Sequence, residues 1–257
     1  ILGPHAIYSI NLEQLEETRK LANKNNVPLS IHLSESQFEN DFSNQNYGMT
    51  SIEALESINF FNGATIAAHV VWPSDKEIEI LARKNVGVVH NPTSNMKLAS
   101  GVAPISKMID AGVLIGLGTD GAASNNDLDM WEEMRLASLL QKVTSMDPEV
   151  LSAIEVLRMA TSNGAKIIGM EGEIGIIARG MKADIIQIAY DDVHHVPSYD
   201  IASHLIYVTD EQDVVNVIID GKLIMHQKEF LTLDIKRIRE EVASISNTIK
   251  ETINSNQ

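Results

Sequence analysis

Four apolar runs in the chain each end on residues able to bind a cation or move a proton: Ile31-His32-Leu33-Ser34-Glu35, Ala68-His69, Val89-His90-Asn91-Pro92 and Gly118-Thr119-Asp120-Gly121. In a parallel β/α barrel the chemistry is mounted on the C-terminal ends of the strands, so His, Glu or Asp closing successive runs is what such a site requires. Imidazole nitrogens and carboxylate oxygens are the donors of a hydrolytic divalent-metal centre, and a chain with no cysteine has no thiolate to offer instead. Taken singly, these residues have plainer readings. Asp120 before Gly121 is a common turn former, Glu35 is an acid favoured at a helix N-terminus, and His90 is as often a hydrogen-bonded structural residue as a ligand. Their ordered recurrence, with Glu35 three residues after His32, is what points to a site.

The segments between these residues supply the frame. Apolar residues recur at helical spacing from Leu12 to Lys24, and Val27–Leu33 then reads as a buried strand. The alternation continues: helix Ser51–Ile58 and strand Ala64–Val71, helix Ser74–Lys84 and strand Val86–Val89, helix Pro104–Ala111 and strand Val113–Leu117. Successive αβ units predict a parallel sheet. Asp127–Lys142 reads as the helix after the last strand, Asp147-Pro148 as the opening of another, and Asn163-Gly164 as an interruption of that helical region. From residue 172 the texture changes to short β-rich runs, Asp184–Ile188 and Val214–Leu223, with Asp220-Gly221 as a hairpin turn. Beyond Asp234, residues Ile235, Ile238, Val242, Ile245 and Ile249 form one apolar helical stripe. Two domains are expected, residues 1–171 and 172–257.

The chain has 257 residues and begins with Ile1 rather than Met, which reads as a fragment or processed product. No apolar stretch approaches the ~20 residues that span a bilayer, and no signal-peptide pattern opens the chain. A soluble, cytoplasmic protein is expected, the latter from the absence of cysteine. A net charge of -15 disfavours a nucleic-acid partner and leaves small molecules as the expected ligands. His194-His195 reads as a solvated loop, His204 as a packed residue, and Met130-Trp131 with Met134 as a core-facing helix surface.

Together the stretches Gly3-Pro4-His5-Ala6, His32-Leu33-Ser34-Glu35, Ala68-His69, His90 to Leu98, Gly118 to Asn126, Met159-Ala160-Thr161, Asn163-Gly164-Ala165 and Gly180 to Asp184 carry a resemblance over nearly the whole chain. It resembles the amidohydrolase superfamily, in the branch of 5-methylthioadenosine/S-adenosylhomocysteine deaminases and related chlorohydrolases. The resemblance implies an α/β fold: the C-terminal part of a metal-dependent-hydrolase (β/α)8 TIM barrel, with a small β-sandwich-like subdomain. It implies one divalent metal, zinc first and iron as the alternative, held by an N-terminal His-x-His pair, a His on the fifth strand and an Asp on the eighth. His32 and Asp120 match the last two, while the His-x-His pair and about half of the expected barrel are absent from this chain. His69 matches a residue beside the attacking water and Glu35 a proton shuttle, with Asp120 also catalytic as an acceptor of the water's proton. Among substrate contacts the resemblance implies His5 and Glu35, with His90 and Asn95 lining the loop after the seventh strand. The expected reaction is hydrolytic deamination of an adenine-type nucleoside by a homo-oligomer, dimer or tetramer, with the intact protein active and this piece alone inactive. Deamination of guanine or cytosine, dechlorination of a triazine, and an inactive barrel scaffold are the alternatives.

Overall fold

The computed structural model describes residues 1–255, and they divide into two compact units. The first comprises residues 1–181 and 192–211. Its elements begin with α1 (Leu12–Asn25), β1 (Leu29–Leu33), α2 (Gln37–Tyr47), α3 (Ser51–Ser57), β2 (Thr65–His69), α4 (Asp75–Arg83), β3 (Gly87–His90) and α5 (Pro92–Lys97). There follow α6 (Ile105–Asp110), β4 (Leu114–Leu117), α7 (Ala122–Asn125), α8 (Met130–Ser145), α9 (Ala153–Ala160) and α10 (Ser162–Ile167). The strands form one sheet in the order β1-β2-β3-β4, every pair parallel, which is half the complement of a (β/α)8 TIM barrel.

Register explains which residues became core. Ile31, Ala67, Val88 and Ile115 lie opposite one another and are at most 2% exposed, whereas His32, Ala68, Val89 and Gly116 form the adjacent row. Each aliphatic side chain so buried contributes roughly 1.5–3 kcal/mol. Ile167 lies close over Gly87 and Gly116: a Cβ at Gly87 would stand 2.8 Å from its side chain, too near to fit without a shift, and one at Gly116 would stand 3.0 Å from its terminal methyl. Helix starts follow capping chemistry. Thr50 with Glu53 and Ser74 with Glu77 form capping boxes on α3 and α4.

Two expectations shift. The helix expected at Asp147-Pro148 begins at Ala153, because Ser152 and Glu155 form the capping box there. The interruption expected at Asn163-Gly164 falls at Thr161, whose φ of -129° and ψ of -94° separate α9 from α10.

The second unit comprises residues 182–191 and 212–257, described as far as Ser255. It holds β5 (Ile185–Ile188), β6 (Val214–Ile219), β7 (Lys222–His226) and β8 (Glu229–Phe230) in one antiparallel sheet, and the helix Ile235–Ser255. Among the described residues it therefore supplies one layer of the expected sandwich. Asp220 and Gly221, with φ of 48° and 75°, make the β6–β7 turn. A single cut after residue 171 does not reproduce this division. Helix α11 (Ile201–Tyr207) packs on α8 and α9, which brings residues 192–211 back to the first unit; the second unit's helix Ile235–Ser255 is accordingly α12.

One buried cation ties α1 to the start of β2. Arg19 is 3% exposed; its Nε donates to Phe60 O at 2.6 Å and its guanidinium to Thr65 Oγ1 at 2.6 Å, with Ala64 O at 3.3 Å. Burial lowers its pKa to about 10, so it remains charged at neutral pH on neutral oxygens alone. Arg19→Met keeps the stem but strands these acceptors, each worth about 1–3 kcal/mol when left unpaired. The unfolding free energy is expected to drop by about 3 kcal/mol in urea denaturation.

Candidate active site

His32 closes β1 with its Nδ1 3.0 Å from the His5 carbonyl oxygen, which also accepts the His32 backbone N–H at 3.0 Å. A carbonyl only accepts, so Nδ1 carries the proton and Nε2 keeps its lone pair. His69 closes β2 with Nδ1 2.8 Å from Asn95 Oδ1, and its Nε2 is left facing His32 and Glu35 in the same way. The two imidazoles are stacked, 5.4 Å between centroids and 23° apart in plane. Asp120 follows β4, and its Oδ2 accepts from Ser94 Oγ at 2.7 Å and from Ser124 Oγ at 2.6 Å. Burial pushes this carboxyl's pKa upward, but the hydrogen bonds from Ser124, Ser94 and the Gly121 N–H outweigh it and hold the group below the ordinary value. One ligand atom each from His32, His69 and Asp120 lies within 4.8 Å of the other two, an N, N, O set suited to a divalent ion.

The backbone at these positions is unusual. Ser34, His69, Val70 and Asp120 have φ of 49°, 74°, 47° and 61°. Non-glycine residues in this region carry strain of order 1–3 kcal/mol, and such strain clusters at working sites. Val70 N–H and Val71 N–H donate to Leu33 O and Ser34 O at 3.0 and 2.9 Å, which holds the kinked end of β2 against β1.

Glu35 stands beside the imidazole pair, its Oε2 3.9 Å from His69 Nε2 and its Oε1 3.4 Å from Ser100 Oγ. Ser100 O in turn accepts from the half-exposed Trp72 indole at 2.7 Å. The turn bearing Glu35 is fixed by Glu39, whose two oxygens accept from Ser34 N–H at 2.7 Å and Glu35 N–H at 3.1 Å. His5 is exposed near His32, 5.0 Å between ring centroids, with Tyr8 and Phe38 extending the aromatic edge.

His90 and Asn95, expected to line the loop after the strand that became β3, are buried, at 0% and 1% exposure. Helix α5 starts at Pro92 directly after β3 and turns Asn95 back onto His69. Burial first and His69 second push the His90 pKa down to about 3, so its ring is neutral. His195, expected on a solvated loop, is 1% exposed and lies 2.9 Å from the His204 ring nitrogen. Ser94, Ser124, Ser100 and Glu39 were not legible as site residues. Ser94 and Ser124 lie within the recognised stretches, but a serine hydroxyl acquires its role only from what it touches.

A cavity of about 650 Å³ lies at the opposite, N-terminal ends of the strands, lined among others by Pro28, Thr65, Gly87, Leu114 and Ile167. It contains none of the residues above, and the strands' C-terminal ends are where parallel barrels carry chemistry.

A family model described as the amidohydrolase family matches residues 1–224. The chain is 48% identical over 240 residues to a 5-methylthioadenosine/S-adenosylhomocysteine deaminase of Carboxydothermus hydrogenoformans, a match covering 93% of this chain and 55% of that protein. Among solved structures it is similar to a zinc-bound adenosine deaminase from Xanthomonas campestris, with a TM-score of 0.95, 34% identity, and coverage of 97% of this chain and 57% of the other. An atrazine chlorohydrolase from Arthrobacter aurescens TC1, complexed with zinc, gives a TM-score of 0.89 at 30% identity, covering 95% and 54%. The chain spans little more than half the length of the curated relatives it matches.

Burial raises the Glu39 pKa above 4.5 despite the N–H groups it accepts from, so the folded protein holds that proton more tightly than the unfolded chain does. The corresponding stability is present at low pH and lost as pH rises through the ordinary carboxylate value towards the raised one. Relative to Glu39→Gln, the wild type is therefore expected to lose stability in urea titrations as the pH rises above the ordinary carboxylate range, and a relative gain would contradict this.

Proposed function

The chain belongs to the amidohydrolase family. From that membership and the site geometry we propose that the protein carrying it is a hydrolytic deaminase of adenine-type nucleosides, with 5-methylthioadenosine and S-adenosylhomocysteine as substrates. The observation that carries the reading is the meeting of His32, Glu35, His69 and Asp120 at the strand ends, in a chain whose curated relatives at 46–48% identity bear that name.

Zinc is the metal of this reading, supported by the N, N, O donor set and by the zinc in similar solved structures. His32 and Asp120 would hold it, with His69 Nε2 beside them. These residues supply at most three of the four donors that tetrahedral zinc takes. Iron(II) would accept the same donors. Bound there, the metal supplies Lewis acidity at neutral pH.

The residues divide the remaining work. Asp120 Oδ1, left over by the two serine hydroxyls on Oδ2, accepts a proton from the attacking water. His69 Nε2 orients that water. The water oxygen adds to the ring carbon bearing the amino group while Glu35 delivers a proton to the adjacent ring nitrogen. A proton then passes to the amino group, the C–N bond breaks, and ammonia leaves the 6-oxo product. His5, exposed beside His32, and Glu35 contact the substrate; His90 and Asn95 act from behind the imidazoles.

The absence of cysteine supports a cytoplasmic setting, and among the described residues no helix is long and apolar enough to cross a membrane. Homo-oligomeric assembly is supported by the exposed stripe Ile238, Val242, Ile245, Ile249 and Ile253 of α12. The similarity to a chlorohydrolase favours one second reading, hydrolytic dechlorination by the same activated water.

The test is ammonia release by the full-length, zinc-loaded protein from 5-methylthioadenosine, S-adenosylhomocysteine and adenosine, with chloride release from atrazine as the competing readout. Glu35→Gln is expected to lower kcat by about 10³-fold with zinc content unchanged. Turnover surviving in that variant would remove Glu35 from its role. Chloride without ammonia would favour the second reading, and a zinc-free, inactive protein would favour a scaffold.

A further inference from the structure

Glu133 lies in the first turn of α8 with no exposed surface, and burial works against its charge. A carboxylate there could accept from its own helix's free N–H groups, but Asp129 already caps that helix, accepting from Trp131 N–H at 2.8 Å. Both Glu133 oxygens reach outward instead: Oε2 accepts from Thr93 N–H at 3.2 Å and Oε1 from Asn125 Nδ2 at 2.6 Å.

The two partners belong to the two turns that hold the site. Helix α5 has proline at its first position and no side-chain cap from Asn91, so Thr93 offers an early backbone donor of that turn, and Glu133 caps it from another helix. The next two residues are Ser94, which donates to Asp120 Oδ2, and Asn95, which accepts from His69. Asn125 ends α7, directly after Ser124, the second donor to Asp120 Oδ2.

We propose that Glu133 is a positioning residue, a buried two-oxygen bracket that keeps the α5 and α7 turns in register so that His69 Nε2 and Asp120 Oδ1 face a common point. The inference rests on the reading of those two residues as parts of a divalent-metal site and does not depend on the substrate. A carboxylate is required because both partners are donors. Glutamine fills the same space with only one acceptor and sets an N–H against Thr93 N–H or Asn125 Nδ2.

The test compares Glu133→Gln with Glu77→Gln in the full-length protein. Glu77 is also buried, at 2% exposure, and accepts from Ser74 N–H and Thr50 Oγ1, but it serves only helix starts. Competition for zinc against a chromophoric chelator is expected to show roughly 10- to 100-fold weaker binding for Glu133→Gln and no change for Glu77→Gln. With 5-methylthioadenosine, kcat is expected to fall about tenfold for Glu133→Gln while KM stays within about twofold. Equal thermal destabilisation of both variants with zinc affinity intact in both would overturn the proposal. Should Glu133→Gln not yield folded protein, Asn125→Ser, which removes the Oε1 partner together with the Oδ1 acceptor of Leu128 N–H, is read for the same loss of zinc affinity, and unchanged affinity there overturns it too. Zinc affinity is measured without substrate. A wild type that binds zinc but releases no ammonia would thus refute the deaminase reading alone.

Discussion

Asp120 Oδ2 receives two hydroxyl hydrogen bonds, and these decide where its other oxygen points. A carboxylate on a loop rotates freely about its last bond. One held by Ser94 at 2.7 Å and Ser124 at 2.6 Å does not, and Oδ1 is left as its outward acceptor. The same logic fixes both imidazoles, each giving its Nδ1 proton to an oxygen, His5 O for His32 and Asn95 Oδ1 for His69. In each case a hydrogen bond behind the group selects the atom in front. The direction of all three groups thus depends on neutral partners: a backbone carbonyl, a side-chain amide and two hydroxyls.

Those partners are in place because the sheet holds a strained rim. Leu33 O and Ser34 O, at the end of β1, accept from Val70 and Val71 just past β2, and the left-handed residues between them turn His69 inward. A β-branched residue such as Val70 at a φ of 47° would relax were it free, so the ordered strands beneath must outweigh a cost of about 1–3 kcal/mol. The rows Ile31-Ala67-Val88-Ile115 on one face, and Ile167 lying over Gly87 and Gly116, provide that rigidity.

Legibility in the sequence followed how each element is buried. The strands end in apolar runs and were readable, as were α1, α4 and α6, whose buried faces are mostly apolar. Helix α2 left no such trace, because the residues it buries are Glu39, Asn40 and Ser43, while Phe38 is 62% exposed. Helix α5 is invisible for the same reason, with Ser94 and Asn95 inward. These two polar-faced helices hold the turns of the site, so the features that orient the chemistry are the ones hydrophobic periodicity cannot find. The position of His32, Glu35, His69 and Asp120 at strand ends was legible from the apolar runs that precede them. The burial of His90 and Asn95 behind them was not legible, because the turn of the chain at Pro92 is a matter of tertiary geometry.

The chain has two tryptophans, and each stands on one of these braces. The Trp72 indole donates to Ser100 O, whose hydroxyl reaches Glu35; Trp131 lies two residues before Glu133. The protein therefore contains its own optical reporters. Intrinsic emission, half solvated at Trp72 and more enclosed at Trp131, follows the loops that frame the chemistry with no label attached.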